Sequence, residues 1–183
     1  MSFSVSPAGL PDALVITPVV HEDARGWFCE SWNVRDFAAA TKLDVHFVQD
    51  NHSCSARNVL RGLHYQVGTP QGRLVRVIAG AVFDVIVDLR RHSPAFGHWS
   101  GRELSAANRQ MLWVPPGFAH GLLALEDGSE ILYKTTTYWD STAERSLLWN
   151  DIDLDIAWPV QETPLLSAKD RAGIPLNSAE TYP

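Results

Sequence analysis

The runs Leu74-Val75-Arg76-Val77-Ile78 and Ala81 to Leu89, separated by Gly80, decide how the rest of the chain is read. Both are short and rich in valine and isoleucine, as suits pleated backbone with buried faces. The lone glycine predicts a tight corner between two neighbouring strands. Working outward, Leu14-Val15-Ile16, Val45-His46-Phe47-Val48, Gly97 to Leu104, Gln110 to Val114, Gly121 to Leu125 and Ile131 to Trp139 predict further strands. Turn residues punctuate them at Ser93-Pro94, Pro115-Pro116-Gly117 and Asp127-Gly128. Strands at this regular spacing predict an all-β sandwich or barrel rather than alternating β and α units. One clear helix is expected over Val34 to Lys42, with Asn33 as its N-cap. From about Asp151 the chain reads as irregular.

The composition narrows the function classes. A chain of 183 residues, 45% hydrophobic and 20% charged, is long and apolar enough for a substantial core. No repeat, low-complexity tract or break in composition divides it, so one domain over residues 1–183 is expected. With 15 basic and 21 acidic residues, the net charge of −6 argues against nucleic acid as a partner but leaves room for a local anion pocket. Two cysteines, Cys29 and Cys54, are too few for a disulfide scaffold and suit a reducing cytoplasm. Met1 to Leu10 lacks the features of a signal peptide, and no apolar run reaches the ~18 residues of a membrane span.

Two stretches carry chemistry: Arg61-Gly62-Leu63-His64-Tyr65-Gln66 and Pro115-Pro116-Gly117-Phe118-Ala119-His120-Gly121. Each sets a histidine in or beside a β-like run, so both can face one pocket. His64 is the leading base, since a neutral imidazole accepts a proton near neutral pH; the alternative is a core histidine bonded to backbone. Tyr133 shares a strand face with Ile131 and is a candidate proton donor, or else a core or rim residue. Arg25, Arg61 and Arg73 have the planar fork that matches phosphate oxygens, although singly each also reads as a solvated strand residue. Arg61 and His64 are three apart, which on an unbroken strand sends them to opposite faces. A bulge or bend at Gly62 would bring them together. Nothing in spacing alone brings Asp170 to His64. Histidines 46, 52, 64, 92, 98 and 120 form no His-x-His pair, and Gln66 follows His64 where a metal site wants a ligand, so no metal is expected. Phosphate-loop, Cys-x-x-Cys and serine-elbow motifs are absent.

These residues, taken in order, resemble a known family. Arg25 to Glu30, Gln49 to Ser53, Arg61 to Gln66, Leu74 to Val77, Phe83 to Arg90, Pro115 to Gly121, Tyr133-Lys134 and Ser167 to Asp170 match the dTDP-4-dehydrorhamnose 3,5-epimerase family, from about residue 20 to 175. The resemblance implies a cupin-type jelly-roll β-barrel with short flanking helices. It implies an isomerase acting on a dTDP-4-keto-6-deoxy sugar, with no cofactor and no metal, assembled as a homodimer that exchanges N-terminal strands. In that frame His64 is the base, Asp170 its carboxylate partner and Tyr133 the acid on the far face of the sugar. His120 lines the pocket, Arg25 and Arg61 contact diphosphate, Glu30, Gln49 and Asn51 contact the nucleotide, and Phe28 and Tyr138 stack on thymine.

One position departs from the family pattern. Where a lysine usually precedes Leu-Val-Arg-Val, this chain has Arg73, which keeps the charge but changes its shape and reach. Arg73 can serve the same role, or it can change which carbon is epimerised. The open alternatives are therefore an epimerase acting at C3 or C5 only, and a cupin that binds a nucleotide sugar without catalysis. A metal-dependent cupin is disfavoured by the missing His-x-His pair.

Overall fold

A computed structural model describes residues 2–183. Its strands are β1 (Phe3–Pro7), β2 (Leu14–Pro18), β3 (Val20–Asp23), β4 (Gly26–Cys29), β5 (Gln49–Ser55), β6 (Leu60–Gln66), β7 (Arg73–Ala79), β8 (Ala81–Asp88), β9 (Trp99–Ser105), β10 (Met111–Val114), β11 (Phe118–Ala124), β12 (Ser129–Thr135) and β13 (Glu144–Ser146). The α-helices are α1 (Val34–Thr41) and α2 (Ala168–Arg171). One sheet runs β1-β2-β10-β7-β12-β5, a second runs β13-β6-β11-β8-β9, and β3-β4 form a separate hairpin. Pairing is antiparallel throughout the three sheets. Consecutive strands β7 and β8, joined at Gly80, lie in different sheets, so the predicted corner carries the chain from one wall to the other. The two walls form the expected cupin-like jelly roll.

Three apolar clusters hold these layers. Val75, Val77, Val82, Ile86, Leu112, Phe118, Leu122 and Ile131 fill the interior between the sheets. Leu60, Leu63, Tyr65, Val85, Val87 and Leu123 cover the back of the second sheet, where Leu147, Leu154 and Trp158 of the C-terminal segment pack on them. Strand β8 is therefore buried on both faces, and this is why it reads as an almost continuous apolar run. Against the first sheet, Phe37 of α1 packs with Ile16, Leu74, Met111 and Trp113. Asn33 caps α1 as expected, accepting from the Asp36 amide at 3.2 Å, and Lys42 ends it in the left-handed conformation.

Several boundaries need correction. Val45 to Val48 is not a strand; Val45 and Phe47 join the aromatic cluster beside α1, with the Phe47 ring 4.9 Å from that of Trp32. The strand begins where that apolar run ends, at Gln49. Ile131 to Trp139 shortens to Ser129–Thr135, and Gly121 to Leu125 becomes Phe118–Ala124, which places His120 inside a strand. Strands β1, β3, β4 and β13 were not expected: they are polar, short or hairpin segments without a clear apolar period.

Candidate active site

The pocket lies between the two sheets, and each wall contributes a different part of its chemistry. The cavity encloses about 490 Å³. From the first sheet come Gln49, Asn51 and Ser53 of β5, Arg73 of β7, and Ile131 and Tyr133 of β12. From the second come Arg61 and His64 of β6, His120, Gly121 and Leu122 of β11, and Glu144 of β13. Ser167, Lys169 and Asp170 reach the cavity from the start of α2.

The parity conflict between Arg61 and His64 is resolved by a bulge. His64 pairs with His120 and Arg61 with Leu122, so Gly62 and Leu63 together oppose the single Gly121. Gly62 has φ +129°, and a β-carbon there would lie 2.5 Å from Gly121 Cα. Only glycine fits, and the extra residue returns both Arg61 and His64 to the cavity. Arg61 is steadied from below, where its guanidinium donates to Ser55 Oγ at 3.0 Å and to the Cys54 carbonyl at 3.2 Å.

His64 meets Asp170 across 106 residues of sequence: Nε2 donates to Oδ1 at 2.7 Å. Asp170 sits in the first turn of α2 and is 3% exposed. Ser167 caps that helix, accepting from the Asp170 amide at 3.1 Å while donating to Asp170 Oδ2 at 2.6 Å. The Gly62 amide donates to Oδ1 at 3.3 Å. Burial pushes the Asp170 carboxyl up, but the hydrogen bonds from His64 and Ser167, the charge of His64 and the Gly62 amide outweigh it and hold the group down at about 2. At neutral pH an ionised Asp170 fixes His64 as the Nε2–H tautomer and leaves its Nδ1 lone pair facing away from the carboxylate.

His120 makes a second pair, donating from Nε2 to both oxygens of fully buried Asp84 at 2.9 Å. Arg73 donates to His120 Nδ1 at 3.3 Å and to Gln71 Oε1 at 3.4 Å. Burial pulls Arg73 below the ordinary arginine value, against the opposing influence of Tyr133, Tyr182, Glu144 and Asp84, yet arginine remains a cation at neutral pH.

Of the sequence candidates, Gln49, Asn51, Arg61, His64, Arg73, His120, Tyr133 and Asp170 therefore converge on one cavity. Arg25, Phe28, Glu30 and Tyr138 do not line it. Arg25 sits at the tip of the β3–β4 hairpin, pairing with Asp23 at 2.6 Å with its side chain 90% exposed. Phe28 and Glu30 line a separate cleft with Ser2, Val19 and His21. Tyr138 lies past the end of β12 and is largely exposed, while its neighbour Trp139 enters the cavity. Trp139, Glu144 and Lys169 were missed. Lys169 pairs with Glu144 at 2.6 Å. Burial works against the Glu144 carboxylate, but Lys169 and the Trp139 indole hold it below its ordinary value. The only sequence signal for Lys169 was its place next to Asp170. Glu144 sits on a three-residue strand in a polar stretch and offered none. Among the described residues, no three His, Cys, Asp or Glu side chains cluster as a metal ligand set.

A histidine backed by a buried carboxylate on one wall and a tyrosine on the other, with Arg61, Arg73 and Lys169 lining the same cavity, suits proton abstraction and return on a bound anion. The fold and site thus define a cupin-like isomerase. The comparisons specify which kind. Residues 7–178 match the family model dTDP-4-dehydrorhamnose 3,5-epimerase. The dTDP-4-dehydrorhamnose 3,5-epimerase of Pseudomonas aeruginosa is 53% identical over 174 residues, covering 95% of this chain and 96% of that protein. The crystal structure of dTDP-6-deoxy-D-glucose-3,5-epimerase from Legionella pneumophila in complex with dTDP-4-keto-L-rhamnose is 41% identical, with a TM-score of 0.94 over 97% of this chain and 95% of that one. A 3'-monoepimerase of Streptomyces bikiniensis in complex with dTDP-quinovose is 32% identical, with a TM-score of 0.88 over 94% and 87% of the two chains. The chain belongs to the dTDP-4-dehydrorhamnose 3,5-epimerase family.

Proposed function

We propose that this chain inverts C3 and C5 of dTDP-4-keto-6-deoxy-D-glucose to give dTDP-4-keto-L-rhamnose, a step of deoxysugar biosynthesis. The observation that carries the reading is the position of His64 and Tyr133 on facing sheets across one cavity. The C4 ketone acidifies both neighbouring C–H bonds, because either carbanion delocalises onto oxygen as an enolate. Inversion requires a base on one face of the ring and a proton donor on the other. His64 takes the proton through Nδ1, with Asp170 stabilising the imidazolium that forms. Tyr133 returns a proton from the opposite wall. Arg73 supplies the fixed positive charge for the C4 oxyanion, and such donors typically carry ~10²–10³ in rate. Arg61 and Lys169 suit the diphosphate, while Gln49 and Asn51 suit the nucleotide. The chemistry requires no redox cofactor and no metal.

The working unit we infer is a homodimer of a single-domain chain. The β3–β4 hairpin stands outside both sheets, with Trp27 52% and Phe28 66% exposed, and a lone two-stranded hairpin is marginal in water. Arg25, Phe28 and Glu30 would then enter the cavity of the other subunit, with Phe28 and Tyr138 stacking on the base. A reducing cytoplasm fits the free Cys29 and Cys54.

A second reading, epimerisation at one carbon, is favoured by Arg73 in place of lysine and by the shared fold of the Streptomyces bikiniensis 3'-monoepimerase. Incubation with dTDP-4-keto-6-deoxyglucose in D₂O, followed by NMR at C3 and C5, separates the two. Deuterium at both carbons with an inverted product is the expected result. Deuterium at one carbon establishes the second reading and makes Arg73 its first suspect.

A further inference from the structure

The cavity contains two His–Asp pairs side by side, since His64 and His120 are register partners across β6 and β11. Both imidazoles give Nε2–H to a buried carboxylate, so both keep their lone pair on Nδ1. Their surroundings then diverge. His120 Nδ1 is occupied by the Arg73 guanidinium at 3.3 Å, whereas among the described residues no hydrogen bond engages Nδ1 of His64. A histidine whose lone pair already accepts from an arginine is not placed to accept a proton from carbon. The second pair therefore has a different task from the first.

That task follows from the arginine. A guanidinium is planar, and two anchored N–H groups set the orientation of the remaining donors. Arg73 has those two anchors, His120 Nδ1 and Gln71 Oε1, and Gln71 is itself fixed by its Nε2 donating to the Thr137 carbonyl at 2.8 Å. The His120 anchor exists only in one tautomer. A proton on Nδ1 would set an N–H against the N–H of Arg73. Asp84 selects the working tautomer, because a carboxylate can only accept and both its oxygens face Nε2. Asp84 is 0% exposed and is the register partner of Arg102 on β9, so a cation lies on one side of it and the neutral His120 N–H on the other.

We propose that Asp84 is a positioning residue for Arg73. Acting through His120, it locks the guanidinium in the orientation that meets the developing oxyanion, so the second His–Asp pair is a clamp and not a second base. The proposal rests on the epimerase reading for its catalytic consequence, while the clamp can be read independently of turnover.

The test combines kinetics with ¹⁵N NMR of the histidine rings. Asp84→Leu, which keeps the branching at Cγ but has no acceptor, should lower kcat on dTDP-4-keto-6-deoxyglucose roughly 10-fold or more and leave KM within about two-fold. Asp84→Asn, which keeps one acceptor oxygen, should lose less. In an Arg73→Lys background, where no planar fork needs orienting, Asp84→Leu should cost no more than about two- to three-fold. An equal factor in both backgrounds would overturn the proposal. The NMR spectrum of the unsubstituted protein decides the matter even where a variant fails to fold or no substrate turns over. His120 is expected as the Nε2–H tautomer with an unprotonated, hydrogen-bonded Nδ1, and a proton on Nδ1 would refute the clamp. Absence of turnover by the unsubstituted protein would count against the epimerase reading and leave the tautomer result standing.

Discussion

At the scale of the residue, the two histidines differ in what occupies Nδ1, the Arg73 guanidinium at His120 and, among the described residues, no hydrogen bond at His64. His64→Ala is expected to abolish deuterium exchange at both carbons, because one base serves each abstraction. Tyr133→Phe should leave exchange at one carbon far better preserved than completed inversion, since abstraction survives while reprotonation on the far face fails. Equal, small effects of the two substitutions, read by NMR in D₂O, would contradict these roles. Asp170 gives a pH signature. Its folded-state carboxyl lies at about 2, below the ordinary 3.8. A depressed carboxyl contributes stability that is present above the ordinary value and is lost as pH falls through the folded value. The stability difference between wild type and Asp170→Asn should therefore shrink from roughly pH 5 down to pH 2, as followed by urea unfolding. A constant difference would show that the pair adds no such linkage. His64 was legible as a candidate because its stretch is distinctive. Asp170 acquired its role only from the family resemblance, because no local pattern joins residues 106 apart in sequence.

At the scale of the element, the bulge in β6 brings Arg61 and His64 to the same cavity. Gly62 and Gly121 approach so closely that a β-carbon on Gly62 would lie 2.5 Å from backbone. Gly62→Ala should cost at least the ~1–3 kcal/mol of a strained positive φ, and more because the neighbouring strand must move. Gly128, at φ +70° with open space around it, provides the control. Gly128→Ala should be the milder change in unfolding midpoint and should leave turnover nearly intact. Similar losses for both would mean that the close approach to β11 carries no weight. Strand β5 has no apolar period because its inward positions, Gln49, Asn51 and Ser53, line the polar cavity and its outward ones, Asp50, His52 and Cys54, are exposed. A strand with polar residues on both faces has no hydrophobic period to detect. The adjacent apolar run drew the assignment instead, although its side chains serve the aromatic cluster around α1.

At the scale of the whole molecule, the proposed dimer would make the hairpin β3–β4 the link between assembly and activity. The hairpin is joined to the rest of its own chain through Arg109, whose guanidinium lies 4.4 Å from the Trp27 ring centroid and 3.8 Å from Glu22. If each cavity receives the hairpin of the other subunit, Arg25→Ala and His64→Ala chains should each be inactive alone. Mixed and reassembled, they should recover up to about a quarter of wild-type turnover, since a statistical half of the dimers are hybrids with one intact site. A fully active monomer, or no recovery on mixing, would contradict the exchange. Neither cavity walls nor hairpin contain a helix long and apolar enough to cross a membrane, and the same holds for all described residues.

By itself the sequence determined the all-β class, the corner at Gly80, the capped helix and a set of candidate histidines and arginines, of which His64, His120, Arg61 and Arg73 line the cavity. These are properties of local pattern: β-branched runs, turn residues and short motifs act over a few positions. The tertiary structure alone decided which of these residues share a cavity. The bulge at Gly62 set the face of Arg61, sheet pairing put His64 beside His120, and the cap of α2 carried Asp170 to its partner. The two similar His–Asp pairs differ because Arg73 reaches His120 from the opposite wall, a contact between residues 47 apart in the chain. Backbone pairing and side-chain reach across a folded interior make such contacts, and no local periodicity encodes them.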